Sequence, residues 1–466
     1  MFMRRVALIV LALVAIGLLA RASEPPLPAG LEPAREEPAL PAGLKPAREE
    51  PALPMGLEPD ATAPEPVAET RPTPPLVLHG FWDMRAGTRI VSDPAQSRDA
   101  TLGEMRLQLK TDKSWDDVFF EFTGDGLFDA VDKRARLDIR QARLTWTPLD
   151  NLDIRIGRQV LTWGTGDMLF INDLFPKDWV SFFSGRDAEY LKAPANTARV
   201  GWFNDLMNVE VVYSPRFDPD RYITGRRISY YSPLHGRTVG RDQRMRANKP
   251  RDWFTDDEIA LRLYRNIGNA QLAFYGYSGY WKSPGGMQLL PPQPVFPKLR
   301  VYGASMRGMI GRGIGHVEIG YYDSYEDRTG RNAFINNSEF RFLAGYEREI
   351  KSDFTVAVQY YLEYMMNYGR YRDSLPFFMP ARDRDRHVFT LRLTRMLMRQ
   401  NLILSLFAYA SPSDKDAYLR PNITYKLSDH WTVTTGANIF LGDNRTSFFG
   451  QFQDNTNIYA SLRFSF

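Results

Sequence analysis

The sequence predicts an all-β fold: a transmembrane antiparallel up-and-down β-barrel of about eighteen strands, behind an N-terminal disordered Pro-rich segment. Three observations carry this expectation. Outside the N-terminus no apolar run approaches the roughly 18 residues that a spanning helix needs. From Leu76 onward, segments of about ten residues alternate apolar and polar side chains. Between those segments, short polar turns and longer links alternate without a break. In lipid only helices and closed barrels satisfy their own backbone, so a membrane chain without long apolar runs must close into a barrel.

Composition narrows the function classes. The 466 residues are 44% hydrophobic and 13% aromatic, with no cysteine, which excludes disulfides, redox-cysteine chemistry and zinc-thiolate sites. A net charge of +4 gives no argument for nucleic acid, because Lys and Arg are offset by Asp and Glu almost throughout.

Residues 1–22 read as a secretory signal. Arg4 and Arg5 form its basic region, Val6 to Ala20 its apolar core, and Ala20-Arg21-Ala22 a small-x-small cleavage site. Residues 23–75 form a Pro-rich linker in which LPAGLEPAREEPA (27–39) recurs as LPAGLKPAREEPA (40–52) and imperfectly as LPMGLEPDATAPE (53–65). Several prolines per repeat and few apolar residues predict extended chain rather than a solenoid. The linker either spaces the barrel across the periplasm or docks Leu31, Leu44 and Leu57 onto a periplasmic partner.

The barrel itself is expected over 76–466. Its strands fall at 76–91, 101–111, 116–126, 135–147, 152–161, 196–203, 207–214, 256–265, 270–281, 298–310, 314–325, 337–349, 354–366, 385–397, 401–410, 418–427, 431–441 and 455–466. One strand sets Phe354, Val356, Val358, Tyr360, Leu362 and Tyr364 against Thr355, Ala357, Gln359, Tyr361 and Glu363. One such face suits lipid and the other water. Short turns, near Pro148–Asn151 and Asn266–Asn269 for example, belong to the periplasm. The longer links, 92–100, 127–134, 162–195, 215–255, 282–297, 326–336, 367–384, 411–417 and 442–454, belong outside the cell. The last strand ends on Phe466, which looks like the signal read by the barrel-assembly machinery, and it places the chain in the bacterial outer membrane. A large soluble β protein would instead show polar outer faces or repeated blade motifs, and neither is present.

Eighteen strands enclose a water-filled lumen unless loops plug it. Alternation turns Arg106, Arg140, Arg155, Arg262, Arg341 and Arg392 inward, and a bulge at Gln141 adds Arg143. Arginine suits carboxylate or phosphate through paired hydrogen bonds. The alternative role for each arginine is a salt bridge that stiffens the wall. Carboxylates such as Glu104, Glu121 and Asp138 share the inward face, so a modest preference for anions is expected.

The least ordinary link is 162–195, which gathers Trp163, Phe170, Phe175 and Trp179 among Asp167, Asn172, Asp173 and Asp178. A loop this apolar must cover a surface, either by constricting the lumen or by capping the rim. GRQVLTWG (157–164), followed by Asn172 and the Pro176–Asp178 pair, resembles an uncharacterised family of proteobacterial outer-membrane barrels with a GRQ…WG…N…P-x-D pattern. More distantly it looks like the alginate-export family of eighteen-stranded barrels. The first resemblance implies work beside periplasmic carriers and export pumps on hydrophobic compounds. The second implies an arginine-lined channel.

The link 215–255 carries Arg216, Arg221, Arg226, Arg227, Arg237, Arg241, Arg244, Arg246, Lys249 and Arg251, a cluster suited to anionic solutes or to lipopolysaccharide phosphates. The five histidines share no local motif with a serine, so catalysis is not expected. No cofactor or metal is read; Asp323, Glu326 and Asp327 lack the spacing of a calcium loop. The expected function is a porin-like outer-membrane channel for small anionic or amphipathic solutes, constricted by 162–195. The alternative is the outer-membrane component of an export or lipid-transfer system. Expected partners are outer-membrane lipid and lipopolysaccharide, the assembly machinery, and in the alternative a periplasmic protein.

Overall fold

Period-2 alternation is realised in all the expected places. The computed structural model describes residues 77–377 and 379–466, and in it eighteen antiparallel strands form one closed sheet. They are β1 (Val77–Arg89), β2 (Ala100–Trp115), β3 (Val118–Asp129), β4 (Arg134–Leu149), β5 (Leu152–Gln159), β6 (Ala195–Trp202), β7 (Asn208–Ser214), β8 (Glu258–Ile267) and β9 (Ala270–Tyr280). The second half holds β10 (Lys298–Ile310), β11 (Gly313–Ser324), β12 (Glu339–Lys351), β13 (Phe354–Met365), β14 (Asp385–Leu397), β15 (Leu402–Ser411), β16 (Asp416–Lys426), β17 (Trp431–Gly442) and β18 (Asn457–Ser465). Each strand pairs with the next, and β18 returns to β1 from Phe81↔Ser465 to Arg89↔Asn457. Closure leaves no open edge, which the hydrocarbon layer would not tolerate.

The faces divide as alternation requires. Trp82, Met84, Leu137, Phe274, Met306 and Phe389 stand exposed on the outer wall, while Asp83, Arg106, Asp125 and Glu318 are buried inside. In water the outer band would drive aggregation; in a bilayer it is the solvated surface. The chain is therefore an outer-membrane β-barrel, and the bacterial outer membrane is its location. Among the described residues no helix is long and apolar enough to cross a membrane.

Two links are shorter than expected. Pairing continues to Asp129↔Arg134 and to Ser411↔Asp416, so 127–134 and 411–417 contract to turns of 130–133 and 412–415. The bulge in β4 also lies one residue earlier than the sequence suggested. Thr123 pairs with Gln141 and Gly124 with Ile139, which leaves Arg140 as the extra residue and turns Arg143 inward. The signal at 1–22 and the linker at 23–75 lie outside the described residues.

The apolar core sits within the lumen, where Ile171, Phe182, Phe183, Leu343, Tyr409 and Tyr418 pack together. Three of these come from the connection between β5 and β6, which leads directly to the site.

Candidate functional site in the barrel lumen

The connection 160–194 folds into the barrel rather than over its rim. The Glu318 carboxylate, 1% exposed on the inner face of β11, holds its first half. It accepts from the backbone N–H of Thr165 (2.8 Å), Gly166 (3.2 Å) and Asn172 (2.7 Å), and from Asn172 Nδ2 (3.0 Å). Such a set of charge-assisted bonds fixes a loop that has no sheet to join. The wall opposite the loop is stripped of side chains to let it approach. A Cβ on Gly303 would lie 1.7 Å from Asn172 Oδ1, and one on Gly320 would lie 2.5 Å from Ile171 Cγ2.

From that anchor the loop reaches across the lumen. Asp167 ion-pairs with Arg392 of β14 at 3.0 Å, and its N–H donates to Gln359 Oε1 of β13 at 2.8 Å. The Tyr409 hydroxyl of β15 donates to the Met168 carbonyl at 2.8 Å. A single-turn helix, Trp179–Ser184, follows; Asp178 caps it by accepting from Ser181 N at 2.7 Å. Its Phe183 packs on Tyr418 (5.3 Å), Phe440 (5.5 Å) and Phe452 (5.1 Å). The helix ends on Gly185 at φ +94°, where Arg85 of β1 donates to the glycine carbonyl at 2.8 Å. Arg186 then pairs with Glu104 of β2 (2.9 Å), and Tyr190 lies between Arg106 (4.0 Å) and Arg140 (4.4 Å).

The other loop residues singled out from sequence have partners of the same kind. Trp163 Nε1 donates to Glu210 of β7 at 3.0 Å, and its ring meets Phe175 edge-on at 5.0 Å. Asp173 accepts from Thr162 (2.8 Å) and pairs with Lys177 (3.0 Å), whose ammonium sits 4.6 Å from the Phe170 ring. Trp179 Nε1 donates to Asp220 at 3.0 Å.

All seven arginines expected in the lumen face inward, and six hold carboxylates. Arg106 pairs with Asp125, Arg143 with Glu121 (2.6 Å), and Arg155 with Asp153 (2.6 Å). Arg262 faces Glu210 (3.8 Å), Arg341 pairs with Glu339 (2.7 Å), and Arg392 with Glu347 and Asp167. Among the described residues Arg140 has no carboxylate within ion-pair distance; it donates to the carbonyls of Glu189 (3.1 Å) and Lys192 (3.3 Å). Of these seven, then, only Arg140 on β4 lacks a carboxylate; among the described residues Arg420 of β16, which donates to the Arg186 carbonyl, lacks one as well.

The basic link 215–257 is matched in part. Arg227 pairs with Glu104 (2.7 Å) and Asp129, Arg226 with Asp132 (2.9 Å), and Arg221 with Asp138 (2.7 Å). These bonds hold the link over the β3–β4 turn. At Asp132 burial pushes the carboxyl up, but Arg227 and Arg226 outweigh it and hold the group below the usual carboxylate value.

Open space remains beside the loop. A cavity of about 300 Å³ is lined by Phe170, Leu174, Trp179, Trp281, Tyr322 and Phe452, with Lys177, Lys282 and Arg341 among them. A second of about 210 Å³ shares Phe170, Trp179 and Arg341 and adds Tyr361, Arg386 and Phe448. A third, of about 180 Å³, lies nearer the short-turn end among Arg392, Arg420, Asn422 and Thr434. Sequence reasoning did not single out Met168, Arg186, Tyr190, Tyr409 or Tyr418. The aromatic pair Phe448-Phe449 in the link before β18 was the available signal for the vestibule. Among the described residues no group of three or more His, Asp or Glu is arranged to hold a metal.

No known family model matches the chain, and no curated protein matches it by sequence. The resemblance of 157–178 to an uncharacterised barrel family thus rests on the motif alone. Among solved structures the chain is similar to Pseudomonas aeruginosa OccK11 (OpdR), with TM-score 0.50 and 8% identity over 83% of this chain and 95% of that one. It is also similar to Acinetobacter baumannii OccAB3, with TM-score 0.48, 11% identity, and coverage of 84% and 98%. At such identities the likeness is one of fold.

Proposed function

We propose that this outer-membrane barrel is a porin-like channel for small amphipathic solutes with a weak preference for anions. The observation that carries the proposal is the inward course of 160–194, which narrows the lumen while leaving aromatic cavities edged by arginine and lysine. Such a lining favours a solute with an apolar body and a negative group. Most of the wall arginines are neutralised by neighbours, so the anion preference is weak and comes from those with no carboxylate beside them among the described residues, Arg140 on β4 and Arg420 in the cavity nearer the short-turn end.

Planar-bilayer recording tests the proposal. The purified barrel should give discrete conductance steps, and deletion of 165–180 should raise each step severalfold while the barrel still folds. A folded barrel whose conductance is indifferent to that deletion would reduce the loop to a cap.

A further inference from the structure

We propose that permeation is confined to one side of the lumen, along the inner wall of β13–β17, and that Met168 sets its width. The proposal rests on the channel reading above and names the path within it.

The loop seals two other sides. Against β7–β10, Trp163 and Phe175 pack on Tyr275, and on the short-turn side of the 300 Å³ cavity, which Phe175 and Leu299 also line, they leave a residual space of about 10 Å³. Against β2–β4, Tyr190 is clamped between two guanidinium groups, and Arg186 is buried in its pair with Glu104. Neither contact leaves room for a solute.

Along β13–β17 the packing is open. The 210 Å³ cavity lies toward the long-loop end and the 180 Å³ cavity toward the short-turn end, and Met168 lines both. The wall between them is the pair Tyr409, in the upper cavity, and Phe407, in the lower, with ring centroids 4.7 Å apart. Met168 is held in place by its own carbonyl, which accepts from Tyr409, and by the Asp167 contacts to Gln359 and Arg392. Its φ of +56° belongs to the left-handed region that non-glycine residues rarely enter. An unbranched thioether at this point is adaptable enough to yield to a passing solute.

The chain has no cysteine, so an introduced thiol is the sole target for a thiosulfonate reagent. Ser405→Cys places that target in the lower cavity, and Ala260→Cys places it on the sealed side. A negatively charged thiosulfonate should cut the single-channel current of Ser405→Cys by at least half and leave Ala260→Cys unchanged. Met168→Ala should raise the unmodified conductance at least 1.5-fold, whereas Trp163→Ala should not. Block at Ala260→Cys without block at Ser405→Cys, or a gain from Trp163→Ala alone, would overturn the route. If neither the wild type nor Met168→Ala conducts, the channel reading itself falls, and the route with it.

Discussion

Glu318 shows how much of this molecule depends on single side chains inside the wall. Its carboxylate satisfies three backbone N–H groups of a loop with no strand partner. In Glu318→Ala those donors lose their acceptor, each at about 1–3 kcal/mol when buried. The loop should detach while the barrel persists. The expected readout is new cleavage within 160–194 by an added protease, with gel mobility of the unheated protein unchanged; a loop that stays protected would show that the aromatic packing alone holds it. Arg140 and Arg155 make a second comparison at this scale. Both face inward, but Asp153 neutralises Arg155 at 2.6 Å and no carboxylate neutralises Arg140. Arg140→Gln should therefore shift the zero-current potential in a salt gradient toward cations, and Arg155→Gln should shift it less. Equal shifts would mean that the Asp153 pair does not screen its arginine.

At the scale of elements, two long connections behave differently for reasons of composition. The connection 160–194 carries enough aromatic surface to enter the lumen and form its core. The connection 215–257 is basic and is instead tied by ion pairs to the turn between β3 and β4. The Asp132 carboxyl there sits below its ordinary value, so its contribution to holding the link is fully present above the unfolded carboxylate value. It is lost as pH falls through the depressed folded value. Acidification below about pH 4 should therefore free 215–257 for cleavage by an acid protease before the barrel itself opens. Asp132→Asn should show the same susceptibility at neutral pH. If cleavage in the variant matches the wild type at every pH, the clamp contributes nothing.

For the whole molecule, closure is the decisive property. The pairing of β1 with β18 satisfies backbone groups that would otherwise face lipid, each at a cost of several kcal/mol. Removing 457–466 should abolish the folded, heat-resistant species in detergent, since β1 and β17 would both become open edges. A truncated chain that still migrates as a compact barrel until heated would show that closure can shift to other strands.

The strands, their number and the residues that face lipid were legible in the chain alone, because these follow from a two-residue period that operates locally. The 160–194 excursion was legible too, since so many aromatic residues in one link must find a surface. Even the extra residue in β4 announced itself as a break of phase at Gln141, one position from Arg140. What the inward charges do was set by the closed fold. Glu318 meets Asn172, Arg227 meets Asp129, and Arg392 meets Asp167 across long stretches of chain. No local pattern encodes which arginine will find a carboxylate, because that depends on how the closed barrel brings distant strands and the loop to one depth. For the same reason the modest positive excess expected from alternation is left, on folding, to arginines that find no carboxylate among the described residues, such as Arg140 and Arg420.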